Sequence, residues 1–420
     1  MKLSFKKKFS LIILSLLFIL PLTGESLSPD NLGKAPKRSD RPTVALVLSG
    51  GGARGYAELP ILELIEELDI PVDIVVGTSI GSIMGGFYSA GYSPKEIANI
   101  AMNIDWPPLF NDESASPYES ILGDRSLFSN PLSINLGLDF SLQLGDSIAT
   151  GQNVYDLFRK LTIKYPSNMN FDSLPIPFRA MVTNIESGES EILHDGDIAE
   201  AMRSSMSMPG VFSPYKINDK YYMDGGVRYN LAINVVKEMG YDIIIAVEIT
   251  PEITGNKNSY NSNPTVALMD IINIAQRSTN KKMYEDADLV VFPDLTNYTI
   301  LDFQKCQQIY DIGKETAEEY RNAFEELRKK IYPKDYVSNG KRISEYKKPK
   351  KHGSYMNVGY KIPSSIKITG ALPQDKKAIE KSFDKIKDEE FTSKKMEQFI
   401  RSIMITGNYT SATPKLIETE

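Results

Sequence analysis

The chain has 420 residues, of which 41 % are hydrophobic and 24 % are charged, and its formal net charge is −6. That composition is globular and excludes disordered, collagen-like and multispanning proteins, and the acidic balance gives no reason to expect a nucleic-acid partner. One cysteine, Cys306, excludes an internal disulfide and a cysteine-based zinc site, and the two histidines, His194 and His352, are too few for a three-histidine metal site. These counts exclude those metal sites, and we expect no metal ion; nothing in the composition indicates a cofactor.

Residues 1–26 have the layout of a secretory signal peptide. Lysines at positions 2 and 6–8 precede an apolar run from Leu11 to Leu20, and turn-forming and small residues such as Gly24 follow. The alternative is a transmembrane anchor, but a membrane span needs about 18 apolar residues or more. We predict export to the periplasm, the outer membrane or the cell surface, with residues 27–41 as a linker.

Apolar strands and helical patterns alternate between residues 42 and 332. Strands are predicted at 44–48, 74–76, 178–182, 243–247 and 289–292, and helices at 54–68, 80–90, 231–239 and 266–283. Uninterrupted apolar strands separated by helices favour an α/β domain with a mostly parallel sheet covered on both faces. Ligands of such a sheet bind at the carboxyl ends of the strands, where we expect the functional site.

The first predicted strand ends in a glycine-rich turn. It reads Gly50-Gly51-Gly52-Ala53-Arg54-Gly55 and leads into a helix. Its glycines allow the backbone to approach a ligand, and N–H groups at a helix N-terminus favour negative charge. The turn is compatible with a purely structural role, with dinucleotide binding or with binding of an anion or oxyanion. Asp69 lies at the end of the helix instead of the second strand, which disfavours the dinucleotide alternative.

The second predicted strand ends in Gly77-Thr78-Ser79-Ile80-Gly81, a G-x-S-x-G pattern. A serine in this pattern is held on a sharp turn with its hydroxyl above the sheet, where it can act as a nucleophile. The flanking glycines are expected because larger side chains would collide with the strand and helix. The alternative is an ordinary serine that caps the helix.

Asp224 is the preferred candidate for the base that would activate Ser79. It lies where a strand ends in the turn Asp224-Gly225-Gly226. A carboxylate has an ordinary pKa of about 3.9, so burial would have to raise the basicity of Asp224. Its alternative role is that of a turn residue bound to its own backbone. His194, in a charged turn, is a weaker candidate, and His352 lies in a linker.

Three motifs in this order, GGGARG at 50–55, GTSIG at 77–81 and DGG at 224–226, resemble those of patatin-like phospholipases, as does the run 197–212. The resemblance implies a three-layer sandwich and a serine–aspartate dyad. Ser79 would be the nucleophile, Asp224 the general base, and N–H groups of the Gly50–Gly55 loop the oxyanion donors. Gly77, Gly81, Gly225 and Gly226 would support the motifs. The reaction implied is hydrolysis of glycerophospholipid esters through an acyl-enzyme.

Residues 132–144 alternate between apolar and polar or glycine residues, which predicts a strand or a hairpin that turns at 137–139. This element is either a half-buried edge or a lining for the acyl-chain entrance. Trp106 to Phe110 would add an aromatic lip to such an entrance or form a packed loop.

The C-terminal part has a different pattern. Residues 333–363 form a basic linker, read as a solvated hinge or as a patch for anionic lipids. Residues 364–420, with a predicted strand at 366–368 and helices at 376–386 and 393–405, resemble an incomplete α+β POTRA domain. That resemblance implies an outer-membrane β-barrel as a partner; a small cap without a transport role is the alternative.

The sequence as a whole predicts an exported lipid acyl hydrolase of the phospholipase A type, with phospholipid and a membrane surface as partners. The first alternative is a membrane-tethered assembly or binding protein whose hydrolase site is vestigial. The second is a serine esterase that acts on an ester other than a phospholipid.

Overall fold

The computed structural model describes residues 34, 41–104, 106, 109, 134–136, 142–144, 149–251, 272, 281–332, 362–390, 393–404 and 412–417. The predicted signal peptide, the linker at 27–41, the helix at 266–283 and the basic linker at 333–363 lie wholly or largely outside these residues. Those four predictions stay untested.

An eight-stranded sheet is the centre of the fold. The described residues form twelve strands, of which eight belong to this sheet and the pairs β3-β4 and β5-β8 form two small sheets. The strands are β1 (Val44–Leu48), β2 (Ile74–Thr78), β3 (Ile134–Leu136), β4 (Leu142–Leu144), β5 (Met169–Asn170), β6 (Phe178–Asn184), β7 (Ser190–Leu193), β8 (Asp195–Gly196), β9 (Tyr215–Ile217), β10 (Lys220–Asp224), β11 (Ile243–Val247) and β12 (Leu289–Val291). The sheet has the order β12-β11-β1-β2-β6-β10-β9, and β7 also pairs with β6. β12, β11, β1, β2 and β6 are parallel, which confirms the mostly parallel sheet. β10 and β7 pair antiparallel with β6, and β9 pairs antiparallel with β10.

Helices cover both faces of this sheet. They are α1 (Glu58–Glu67), α2 (Ile80–Ser89), α3 (Pro94–Met102), α4 (Gln152–Thr162), α5 (Ile198–Ser205), α6 (Ile233–Met239), α7 (Cys306–Ile331), α8 (Pro373–Phe383) and α9 (Ser393–Met404). Helices α1, α2, α4, α5 and α7 contribute to the larger core on one face, and α6 to the smaller core on the other. The domain therefore has the expected three layers. Among the described residues, no helix combines the length and apolar character that crossing a bilayer requires.

Strand β1 shows why its sequence is apolar throughout. Val44, Leu46 and Leu48 face the larger core, and Ala45 and Val47 face the smaller one. All five residues have no exposed surface. A strand buried on both faces needs apolar side chains at every position instead of at alternate ones.

Two local predictions are refined by the structure. The helix expected at 54–68 begins as a short 3-10 helix, Gly52–Ala57, before α1 continues it. The hairpin expected at 132–144 is confirmed, because β3 and β4 pair antiparallel with Ile134 opposite Leu144. Its turn and the orientation of its side chains lie outside the described residues, as does most of the lip at 106–110, so their role in acyl-chain entry is not tested.

The C-terminal prediction is confirmed only for its helices. α8 and α9 occur close to the expected ranges, but the strand expected at 366–368 is wrong. Ile366 and Ile368 instead pack, partly buried, against a small core of Ile362, Ile379, Phe383 and Phe399. Their alternation therefore reflects contact with helices and not strand pairing. The described residues between 362 and 417 contain no strand, so they give no support to a POTRA domain or to a barrel partner.

Candidate active site

Ser79 lies on a strained turn between β2 and α2. Its φ is 53°, a left-handed conformation that is rare for residues other than glycine. The turn is close-packed, because a Cβ atom on Gly77 would lie 2.4 Å from the carbonyl oxygen of Gly81, and one on Gly81 would lie 2.6 Å from that of Leu48. This crowding is the physical reason, expected from the sequence, for both flanking glycines. Ser79 occupies the N-cap position of α2, yet its hydroxyl does not cap the helix.

The hydroxyl of Ser79 donates a hydrogen bond to Asp224 instead. The Ser79 Oγ to Asp224 Oδ2 distance is 2.6 Å. Asp224 is only 1 % exposed, and its other oxygen accepts the N–H of Gly226 at 2.8 Å. Both roles considered for Asp224 are thus present, since one oxygen fixes its own turn and the other binds the serine. Burial raises the pKa of Asp224 to about 6, although the hydrogen bonds from Ser79 and Gly226 oppose that rise.

Strand register brings the two residues together across the sheet. Thr78, at the end of β2, pairs with Met181 of β6, and Asp224, at the end of β10, pairs with the next residue, Val182. His194 follows Leu193, which pairs with Ala180 nearer the start of β6. This register places Asp224 beside Ser79. His194 does not line either of the cavities that contain Ser79, so it is not positioned as its base. His352 lies outside the described residues.

The glycine turn after β1 lies beside Ser79. Some of its N–H groups already donate hydrogen bonds within the protein, and others do not. The N–H of Gly50 donates to Asn230 Oδ1 at 3.0 Å, that of Ala53 to the carbonyl oxygen of Ile300 at 2.9 Å, and that of Arg54 to Gly51 at 3.3 Å. Within the described structure, the N–H groups of Gly51 and Gly52 have no hydrogen-bond partner. Of these five N–H groups, those of Gly51 and Gly52 are therefore the ones available to act as the predicted oxyanion donors.

The remaining loop residues support its shape. Gly52 has a φ of +57°, and a Cβ atom there would lie 2.2 Å from the carbonyl oxygen of Ile300, so only glycine fits. The missing side chain of Gly55 leaves room for Ile80. The guanidinium of Arg54 donates from Nε to the carbonyl oxygen of Tyr298 at 2.9 Å. Arg54 thus holds the loop with its side chain, as the family resemblance implies.

Asn230 was missed by the sequence analysis and connects the two parts of the site. Its Nδ2 donates to the carbonyl oxygen of Gly50 at 3.1 Å and to Thr250 Oγ1 at 2.8 Å, while its Oδ1 accepts the Gly50 N–H. A Cβ atom on Gly226 would lie 2.9 Å from the same Oδ1. The buried side chain of Asn230 therefore fixes the glycine loop against the turn that carries Asp224. No spacing rule used above would have found it, because an asparagine after a turn is common.

Two residues of the run 197–212 support the dyad from behind. Ser205 Oγ accepts the N–H of Ser79 at 2.9 Å and donates to the carbonyl oxygen of Met181 at 2.6 Å. The fully buried Arg203 donates to Ser207 Oγ at 2.8 Å, and the carbonyl oxygen of Ser207 accepts the N–H of Asp224. The sequence signal for these residues was only the family resemblance of the run.

Two cavities meet at Ser79. One, of about 300 Å³, is lined by polar groups that include Arg54, Asp224 and Asn230. The other, of about 420 Å³, is lined by apolar side chains apart from Gly52 and Ser79. In the described part of the chain, no group of three or more His, Cys, Asp or Glu residues could hold a metal ion. The site offers a hydroxyl, a buried carboxylate and, in the adjoining glycine turn, two amide donors, which are the groups that acyl transfer needs.

Residues 46–237 match the family model described as Patatin-like phospholipase. This chain contains a patatin-like phospholipase domain. It is 28 % identical over 298 residues to lysophospholipase NTE1 of Phaeosphaeria nodorum and 27 % identical over 295 residues to patatin-like phospholipase domain-containing protein 7 of Rattus norvegicus. Each match covers 64 % of this chain but only 18 % and 20 % of the relatives. The chain therefore spans about a fifth of the length of those curated relatives.

Among solved structures, the patatin-like domain is similar to VipD from Legionella pneumophila. The sequence identity is 13 % and the TM-score 0.39, with 77 % of this chain and 78 % of that chain covered. The type III effector ExoU matches with 16 % identity and a TM-score of 0.34 over 68 % of this chain and 54 % of that chain.

Proposed function

We propose that this chain hydrolyses fatty-acyl esters of glycerophospholipids, including those with a single acyl chain, through an acyl-enzyme formed on Ser79. The observation that carries the proposal is the 2.6 Å hydrogen bond from Ser79 Oγ to the buried Asp224. The patatin-like family match supports the substrate class, and the relatives named lysophospholipase favour lipids with one acyl chain.

In the first step, Asp224 accepts the hydroxyl proton as Ser79 Oγ attacks the ester carbonyl. The N–H groups of Gly51 and Gly52 stabilise the developing oxyanion. Collapse of the tetrahedral intermediate expels the alcohol, to which protonated Asp224 gives its proton, and leaves the acyl group on Ser79. A water molecule, activated by the same carboxylate, then releases the fatty acid and regenerates the serine.

The proposal is tested by labelling the protein with a fluorophosphonate probe and identifying the modified serine by mass spectrometry. Ser79→Ala should lose labelling and lower hydrolysis of a p-nitrophenyl butyrate ester by at least about a thousandfold. Ser89→Ala is a matched control, because Ser89 lies on the same helix α2 and its buried hydroxyl has no hydrogen-bond partner in the described structure. Undiminished hydrolysis by Ser79→Ala would disprove the proposal, and absence of both labelling and hydrolysis in wild type would favour a binding protein with a vestigial site.

The lipid class is decided by the products. Wild-type protein should release fatty acid from phosphatidylcholine or lysophosphatidylcholine vesicles, and the ratio of the two rates defines the preference. Hydrolysis of soluble esters without release from either lipid would favour an esterase with a different substrate.

Export of the protein is also a proposal, supported by the basic and apolar layout of residues 1–26. N-terminal sequencing of the mature protein should find a start between Glu25 and Ser28. An intact Met1 on the mature protein would contradict it.

A further inference from the structure

We infer that the acyl chain of the substrate runs from Ser79 into a second, inner cavity between α2, α3 and α4. We further infer that Ala101 and Leu157 in the wall of that cavity set the longest chain accepted. This inference rests on the proposed ester hydrolysis and adds to it the position of the chain and the residues that select its length.

The inner cavity does not include Ser79. It contains about 390 Å³ of empty space, including space open to solvent, and every residue of its lining is apolar or aromatic. Helix α2 contributes Ile80 and Ile83 among others, α3 contributes Ala101, and α4 contributes Leu157. A water molecule in this cavity would find no hydrogen-bond partner among the lining side chains, so the cavity favours an apolar ligand.

The inner cavity and the apolar cavity at Ser79 adjoin each other. Both are lined by Ile80, Ile83 and Trp106. The outer cavity contains the nucleophile and the inner one continues along α2 away from it, so an ester carbonyl at Ser79 directs its chain past Trp106. The other cavity that contains Ser79 is lined by polar side chains, among them Arg54 and Asn230. The apolar cavities therefore suit the acyl chain of a lipid ester, and the polar cavity suits its head group.

Trp106 is fixed at the junction by its polar edge. Its Nε1–H donates to the hydroxyl of Tyr56 at 2.9 Å, and that hydroxyl donates to the carbonyl oxygen of Ala101 at 2.8 Å. The indole ring also packs against Phe303, with the ring centroids 4.7 Å apart. With its N–H satisfied, the indole presents a purely apolar wall to both cavities.

Ala101 and Leu157 are the positions at which chain length is expected to be controlled. Both line the inner cavity and neither lines the outer one. Each methylene that leaves water for an apolar site contributes about fourfold to binding. Filling the inner cavity should therefore penalise only those chains that are long enough to reach it.

The first experiment uses Trp106 as a reporter, because it is the only tryptophan of the chain. Dodecanoic acid brominated at its middle carbons should quench the fluorescence of wild-type protein in a saturable way, since bromine quenches indole at short range. Unbrominated dodecanoic acid should compete without quenching. Absence of saturable quenching would overturn the inference.

The second experiment compares p-nitrophenyl butyrate with p-nitrophenyl dodecanoate. Ala101→Leu, and independently Leu157→Phe, should lower kcat/KM for the dodecanoate by about tenfold or more while changing that for the butyrate less than twofold. Both should weaken quenching by the brominated acid. Asn99→Leu is the matched control for Ala101→Leu, because Asn99 is exposed on the same helix α3. It should leave kcat/KM for both esters unchanged.

The outcomes separate the two proposals. Equal losses on both esters in Ala101→Leu and in Leu157→Phe would overturn the inner site but leave ester hydrolysis by Ser79 intact. Butyrate hydrolysis that is unaffected by Ser79→Ala would overturn the proposal that Ser79 is the nucleophile. The quenching measurement involves no turnover, so it tests the cavity even in that case.

Discussion

The carboxyl edge of the sheet and the C-terminal residues 362–404 are held together in different ways. At the sheet edge, buried polar side chains bind partners that are far away in sequence: Ser79 binds Asp224 across 145 positions, and Gly50 binds Asn230 across 180. Residues 362–404 instead have a small core of four buried apolar side chains, contributed by two helices and the segment before them. The difference teaches that the site depends on global register, whereas the C-terminal helices depend on local packing.

The last described residues, 412–417, contact helix α4 and residues near it. The carbonyl oxygen of Pro414 accepts from Nε of the fully buried Arg159 at 3.0 Å, and that of Leu416 accepts the N–H of Ser167 at 2.6 Å. The Thr413 hydroxyl also binds the carboxylate of Asp156 on α4, so both backbone and side-chain contacts hold the segment.

The largest effect is expected at the sheet edge, from Asp224→Asn. It should abolish the chemistry of the site without changing the C-terminal core. Asparagine keeps the size of the side chain and an acceptor for the Gly226 N–H but cannot take the proton of Ser79. We expect kcat/KM for p-nitrophenyl butyrate to fall by about a thousandfold. In wild type, activity should decrease below about pH 6, because Asp224, with its pKa raised to about 6, must be ionised to act as the base.

The same variant should be more stable than wild type at neutral pH. Because the pKa of Asp224 is raised from 3.8 to about 6 by burial, the folded state favours the protonated form. Below about pH 4, Asp224 is protonated and the free energy of unfolding has its full value. As the pH rises through about 6, Asp224 ionises in the folded state, and the free energy of unfolding falls by up to about 3 kcal/mol. Urea unfolding should thus show a gain for Asp224→Asn at pH 8 that vanishes at pH 4. A loss at both values would contradict this account.

The next effect concerns Asn230, which fixes the glycine loop. Asn230→Ala should lower kcat by about tenfold to a hundredfold with little change in KM, because Gly50 loses both bonds that hold the oxyanion donors in place. Asn230→Asp should in addition move the acid limb of the pH profile upward, since a second carboxylate near Asp224 raises its pKa. Thr250→Val, which removes only one bond of Asn230, should have a smaller effect. Equal effects of the three variants would contradict a positioning role.

A smaller effect on hydrolysis is expected from the C-terminal core. Phe383→Ala removes one of its four buried side chains, and truncation of a buried phenylalanine typically costs about 3 to 5 kcal/mol. Hydrogen exchange should show that α8 and α9 lose protection while butyrate hydrolysis stays within about twofold. Phe178→Ala, in the larger core, is the matched control and should impair hydrolysis as well. Loss of activity in both variants would show that the two regions are not independent.

The smallest effect should follow deletion of residues 412–420. Nε of Arg159 would lose its acceptor, which costs about 1 to 3 kcal/mol for a buried donor. The amide of Ser167 should exchange faster, because its acceptor is Leu416. Butyrate hydrolysis should change less than twofold; a larger loss would show that this segment also shapes α4 at the inner cavity.

Much of the fold was predictable because its signals are local. The apolar runs of β1, β2 and β11 have no alternative to burial on both faces, and the glycines at 77 and 81 are needed by steric contacts within one turn. The antiparallel pairing of β7, β9 and β10 was not predicted, since their short, partly exposed sequences contain polar residues and lack a periodic signal. The false strand at 366–368 shows the same limit, because alternation alone does not specify a pairing partner.

The sequence by itself determined a parallel sheet between two helical layers, a serine on a strained turn and a carboxylate at the end of a later strand. These features could be predicted because each depends on short-range steric contacts and on the burial of apolar residues that are close together in the sequence. Only the tertiary structure decided that Asp224 binds Ser79, that Asn230 engages the N–H of Gly50 and leaves those of Gly51 and Gly52 without partners, and that an apolar cavity continues beyond Trp106. Hydrogen bonds of this length depend on strand register and on the packing of distant segments, which no local pattern encodes.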